Sequence, residues 1–160
     1  MAEISIRPKT AEDRQWVREN TRSSWGSEMV VVHDNVFYPE ELEGFIARQG
    51  SEQLGLVTYK IEGSTCEIIT LYVLVPAHGI GAKLIEAVKF RAQDEGCKRM
   101  RLTTTNDNTN ALRFYQKNGF HLSALRPRAV EEARKIKSEI PLTGEDGIPI
   151  RDEIDLELDL

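Results

Sequence analysis

A chain of 160 residues, 40% hydrophobic and 29% charged, has the length and composition of one globular domain with a packed core, and is neither a disordered nor a fibrous sequence. The 21 Lys and Arg against 26 Asp and Glu leave a formal charge of −5, which argues against phosphate backbones or anionic lipid as the main partner. The longest strongly apolar run, residues 68–77, falls well short of the ~18–20 residues that span a bilayer, and Met1-Ala2-Glu3-Ile4 does not open a secretory signal. The expectation is a single domain over residues 1–160, located in the cytoplasm, with no nucleic-acid and no membrane partner.

Residues 4–8 alternate as a short strand, and Thr10 with Asp13 makes a capping pair for a helix that carries Trp16, Val17 and Asn20 on one face. From Trp25 to about Gly50 the pattern is irregular, with an apolar patch at residues 29–32 and a short helix at residues 39–42. Residues 53–61 and 65–75 are β-branched and aromatic runs separated by Glu62-Gly63-Ser64, which predicts a hairpin of two central antiparallel strands. After Gly79-Ile80-Gly81 the apolar residues Leu84, Ile85, Val88 and Ala92 recur with helical spacing up to Gly96. Residues 98–103 alternate as a strand, a second helix runs from Asn108 to Asn118-Gly119, and residues 120–125 form another strand.

Ala129, Val130, Ala133 and Ile136 share one helical face, and a polar loop with Pro141, Gly144, Gly147 and Pro149 follows. Residues 154–160 alternate strictly between apolar and acidic, as in a strand with one wet face, read here as an edge guarded by its charges. Such a strand also offers pairing with a copy of itself, and hence a homodimer. From Glu145 onward there are seven acids and one base, so the acidity of the chain is concentrated in its tail. The fold class predicted is α/β, with a mixed, mostly antiparallel sheet flanked by helices. Cys66 and Cys97 lack the close pairing of a disulfide framework or metal knuckle and read as two buried thiols, while His33, His78 and His121 lack ligand spacing, so no metal is expected.

The chemistry points to the segment Val75-Pro76-Ala77-His78-Gly79-Ile80-Gly81 between a strand and a helix. Small residues at a helix mouth let backbone N–H groups approach an anion, and the positive helix end favours a phosphate there. A phosphate loop of the Walker type needs Gly-Lys-Ser/Thr at its end, and the dinucleotide fingerprint needs a third glycine where Leu84 stands. By itself the glycine pair is equally consistent with a tight strand-to-helix turn.

A second segment adds specificity. In Asn108-Thr-Asn-Ala-Leu-Arg-Phe-Tyr-Gln-Lys-Asn-Gly-Phe120, Asn108 opens a helix, Tyr115 follows two turns later and Gly119-Phe120 lies at the exit. Together with the glycine turn and the strands before it, this resembles the GCN5-related N-acetyltransferase (GNAT) family over roughly residues 54–120. The resemblance implies a GNAT-like fold and an acetyl-CoA-dependent transferase that acetylates a primary amine of a small-molecule or peptide acceptor by direct attack in a ternary complex. In that reading Leu71, Tyr72 and Val73 line the pantetheine arm and acetyl group. The N–H groups of His78, Gly79, Ile80, Gly81 and Ala82 hold the pyrophosphate, and Asn108 contacts the pantetheine chain. Pro76 stands where the family commonly has Arg or Gln, which leaves His78 and Lys83 to compensate.

Acetyl transfer from a thioester to an amine needs a neutral nucleophile, a donor for the developing oxyanion and a proton for the leaving thiolate. A backbone N–H near Val73, freed by strand splay, is the expected oxyanion donor. Tyr115 is the expected acid, the alternative being an aromatic that only supports the sheet. Glu67 is the expected base, acting through water, the alternative being a solvent-facing strand acid. Trp25, Phe37 and Tyr38 are candidate walls of an acceptor pocket, and Arg126, Arg128, Arg134, Lys135 and Lys137 are either an anion-facing cluster or a solvated helix face. A different class of function, a non-catalytic sensor or partner domain that binds CoA or acyl-CoA, remains open at this stage.

Overall fold

A strand-helix opening leads into a twisted sheet. β1 (Ile4–Pro8) is followed by α1 (Arg14–Trp25), a small hairpin of β2 (Val30–Val32) and β3 (Asn35–Phe37), and then β4 (Glu43–Gln49), β5 (Glu52–Glu62) and β6 (Thr65–Val73). α2 (Ile80–Asp94), β7 (Arg99–Thr105), α3 (Thr109–Lys117), β8 (His121–Arg126), α4 (Ala129–Ile136) and β9 (Glu153–Asp159) complete the chain. The computed structural model describes residues 3–76 and 78–160; Met1, Ala2 and Ala77, the last within the predicted glycine turn, lie outside the described residues.

The main sheet has seven strands in the order β1-β4-β5-β6-β7-β9-β8. Its one parallel pair is β6 with β7, and the other neighbours are antiparallel, so the predicted α/β class with a mixed, mostly antiparallel sheet is what the chain forms. α2 covers one face, where Leu84, Ile85, Val88 and Ala92 meet Val57, Cys66, Ile68, Met100 and Leu102. On the other face Val17 of α1 packs on Ile46 and Leu56, with Trp16 and Tyr72 beside them. Both thiols are buried and free, and burial pushes Cys66 up to about 12, which removes it as a nucleophile. No helix of the described residues is long and apolar enough to cross a membrane.

Two expectations are corrected. The stretch read as irregular contains β4, an interior strand that pairs with β1 and β5. Its signal was present in the apolar Phe45-Ile46-Ala47 followed by the two-residue turn Gly50-Ser51, with Gly50 left-handed at φ 63°. The C-terminal strand is no edge: β9 lies between β7 and β8 and is paired on both sides, which closes the route to a homodimer through it. Its acidic face is wet only toward the end: Glu153 and Asp155 are 5% and 6% exposed, Glu157 is half-buried and Asp159 is exposed. Alternation reports which face a residue occupies, and says nothing of whether the strand's edges are paired.

The entry to α1 is fastened by an ion pair. Arg7 on β1 donates to both carboxylate oxygens of Asp13 at 2.8 Å, and Asp13 in turn accepts the Thr10 N–H at 2.8 Å. The Arg7 hydrogen bonds hold the Asp13 carboxyl down at about 2. Because the folded group titrates below the unfolded one, its contribution is complete above about pH 4 and is lost as the pH falls through about 2. Asp13→Asn is therefore expected to lose ~1–3 kcal/mol in urea denaturation at pH 7, with the gap to the wild type closing between pH 4 and pH 2.

Candidate active site

The site begins where a ladder ends. β6 and β7 pair from Thr65↔Arg99 to Ile68↔Leu102 and no further, although both strands continue. At the same point β6 carries an extra residue: Thr58 faces Thr70 and Tyr59 faces Ile68, so Ile69 is bulged. A bulge bends its strand and increases local twist, which turns β6 away from β7. Beyond it, Leu71, Tyr72 and Val73 remain paired to β5 but have no strand partner on the β7 side. Their side chains alternate, with Leu71 and Val73 toward the face of α2 and Tyr72 toward Trp16 and Trp25 of α1.

α2 starts at the end of β6. Its N-cap, Gly79, is left-handed at φ 68°, makes no side-chain cap and would meet nothing within 4 Å if it bore a Cβ. Lys83 N–H closes the first helical bond to the Gly79 carbonyl, so the Ile80, Gly81 and Ala82 N–H groups precede the helical ladder and point out of its positive end. His78 is exposed beside them.

Gly81 has a different reason to be small. A Cβ there would sit 2.9 Å from Phe114 Cζ and 3.8 Å from Val73 Cγ2, so α3 closes onto α2 where β6 ends. This contact carries Tyr115 with it, since its ring lies edge-on to Phe114 at 5.1 Å and to Phe120 at 5.6 Å. Tyr115 is buried, and burial raises its hydroxyl well above the usual phenol range, so it stays a proton donor. Asn108 caps α3, its side-chain oxygen accepting the Ala111 N–H at 3.2 Å.

On the other face of the parted strands lies a cavity of about 530 Å³. Ile69 of the bulge, Thr103 to Thr105 of β7 and Asn108 line one side; Trp25, the strand β2 and residues of α4 and the following loop line the other. Of the aromatic wall candidates, Trp25 lines this cavity, Tyr38 belongs to a separate shallow one, and Phe37 lies beneath Lys60. The basic cluster after β8 divides as well. Arg134 donates to the carbonyls of Ile140, Pro141 and Ile150 and so ties down the loop; Lys135 stays exposed beside Glu132; Lys137 turns inward.

A polar network missed by sequence reasoning lies beside this cavity. Arg126 on β8 donates to Glu153 Oε1 at 3.0 Å and to Asp155 Oδ1 at 2.9 Å. Thr103 donates to Asp155 at 2.6 Å, and His33 Nε2, at the turn of the β2–β3 hairpin, lies 2.9 Å from both. Burial opposes ionisation of Asp155, but the hydrogen bonds from Arg126, Thr103 and His33 overcome it and hold the carboxyl at about 2. These groups come from segments up to 122 residues apart, and no local motif links them.

The structure brings Val73, Gly81, Phe114 and Tyr115 together and leaves Glu67 apart. Glu67 lies on a paired rung next to the divergence, 3.4 Å from Arg101, and lines a different cavity of about 190 Å³ with Lys60, Glu62, Thr65 and Arg101. Glu67 stands opposite Arg101 on β7 and Lys60 on β5, and its carboxylate lies against Arg101 within the smaller cavity.

The site thus consists of a mixed sheet with one parted parallel pair, a glycine-capped helix at its head and a cavity across the gap. The model of the Acetyltransferase (GNAT) family matches residues 11–120, and the chain belongs to that family. It is 45% identical to the uncharacterized protein YdhI of Bacillus subtilis (strain 168) over 131 residues, covering 81% of this chain and 82% of that one. Among solved structures it is similar in fold to an IAA acetyltransferase from Bacillus cereus ATCC 14579, with TM-score 0.73 and 20% identity over 99% of this chain and 100% of the other. A GNAT family acetyltransferase from Elizabethkingia anophelis with acetyl-CoA bound is equally similar, with TM-score 0.73 and 24% identity over 98% of each chain.

Gly81→Ala is expected to destabilise by ~1–3 kcal/mol through overpacking against Phe114. Adding Phe114→Leu should recover most of that loss, a coupling that a double-mutant cycle in urea measures directly.

Proposed function

We propose that the chain transfers an acetyl group from acetyl-CoA to a primary amine by direct attack within a ternary complex. The observation that supports this most is the parting of β6 from β7 with the uncapped start of α2 at its head and a cavity on the far side. The residues present fit the co-substrate: open space above Gly79, N–H donors ahead of the first helical bond, and an unpaired strand flank leading inward. Acetyl-CoA supplies the activated acetyl thioester. On this reading the N–H groups from His78 to Ala82, aided by the Lys83 side chain, hold the diphosphate. Leu71, Tyr72 and Val73 flank the pantetheine arm, with Asn108 opposite. A β6 N–H near Val73 donates to the acetyl carbonyl oxygen, a contribution of order 10²–10³ in rate for comparable donors.

Tyr115 supplies the proton for the departing thiolate, because burial keeps its hydroxyl protonated. On this reading Glu67 is not the base, since it lines the smaller cavity and not the one across the gap. Proton removal from the amine falls instead to Glu153, a buried carboxylate lining the 530 Å³ cavity. The acceptor enters from that cavity, as a small molecule or the end of a peptide, and the expected location of the enzyme is the cytoplasm.

Calorimetry with CoA is expected to show binding, and acetyl-CoA mixed with an amine panel should release free thiol. Binding without thiol release would instead favour a sensor. Tyr115→Phe is expected to bind CoA with the wild-type affinity and to lose roughly 10²-fold or more in kcat; full turnover by this variant would remove the acid assignment.

A further inference from the structure

Lys137 follows α4 and turns its side chain inward: the residue is 3% exposed, lines the large cavity, and donates from Nζ to the Met29 carbonyl at 2.8 Å. An ammonium carries three N–H donors, and among the described residues this is the one acceptor its Nζ has. Burial works against its charge and the nearby Glu139 carboxylate works for it. Its two remaining donors are available to an acceptor in the cavity. The same cavity holds the opposite group. Glu153 is 5% exposed, both of its Arg126 hydrogen bonds fall on Oε1, and Oε2 has no hydrogen-bond partner among the described residues. Trp25, Val30, Val32, Ile69 and Val130 supply apolar wall around this pair.

We infer that the acceptor is a free amino acid with an apolar side chain, its carboxylate on Lys137 Nζ and its amino group toward Glu153. The inference rests on the acetyltransferase reading above and narrows its acceptor. The cavity is also lined by Asp107, Glu139 and Glu145, so a polyamine is the rival acceptor and its faster turnover overturns the inference, while a protein N-terminus lacks the α-carboxylate that Lys137 is placed to receive. The charge-assisted bond to a carboxylate corresponds to roughly 10- to 100-fold in affinity.

The test compares L-phenylalanine, L-phenylalaninamide and 2-phenylethylamine, which share a ring and an amine and differ at the carboxylate, alongside a short peptide, a polyamine and matched sets for leucine and valine. Thiol release from acetyl-CoA and calorimetric binding to the CoA complex are read for each. The expected result is a kcat/KM at least about tenfold higher for the free amino acids than for their amides and amines, carried by KM. In Lys137→Met that ratio should fall toward one, and Lys137→Arg should recover part of it. Equal or faster turnover of the amides, amines or peptide overturns the inference while leaving the acetyltransferase reading intact, as does a Lys137→Met variant that keeps the preference. Absence of CoA binding or of thiol release with every amine overturns the reading beneath it, and the inference with it.

Discussion

Parallel strands β6 and β7 stay hydrogen-bonded for four residue pairs, and the remaining machinery is arranged around their separation. Backbone polar groups taken out of a ladder must find other partners, so a parted pair in the middle of a sheet persists only where neighbouring packing enforces it. Three features do so here. The bulge at Ile69 bends β6, α2 fills the face beneath Leu71 and Val73, and β9 takes the far edge of β7 so that β7 continues without β6. The gap is therefore a consequence of sheet order and bulge position, and it supplies an unpaired strand flank leading toward a helix N-terminus.

The two sides of the gap are built by different parts of the chain. The side with the glycine turn comes from the contiguous run β6-α2 plus α3, and its closeness depends on Gly81 admitting Phe114. The cavity side comes from α1, the β2–β3 hairpin, α4 and the loop before β9. Arg126 on β8 pairs with both Glu153 and Asp155 of β9, so the acidic tail is neutralised from within where it passes the cavity. Two buried carboxylates sharing one half-buried cation are costly to separate from it, which makes this network a fixed wall more than a mobile one.

Tyr115 and Asn108 each serve the fold as well as the proposed chemistry. Tyr115 belongs to the main hydrophobic core and is held by two edge-on ring contacts; Asn108 caps α3. The same burial that makes Tyr115 a packing residue also keeps its hydroxyl protonated, so the supporting-aromatic and acid readings are two aspects of one placement.

What could be read without coordinates was local. The hairpin at Gly63-Ser64, the helical spacing of Leu84, Ile85, Val88 and Ala92, the glycine mouth of α2 and the Asn108-to-Phe120 segment all act through neighbours within a few turns, and periodicity and turn chemistry report such contacts directly. The position of β9, the fate of Glu67 and the cavity of Glu153 and Lys137 depended on strand order and on contacts between segments up to about a hundred residues apart. An acidic strand has the same alternation at an edge or inside a sheet, and a lysine at a helix end has the same spacing whether it meets water or a buried carbonyl. Only the tertiary arrangement decides which neighbour each one meets, because pairing and burial are set by the whole sheet and not by the stretch that carries the residue.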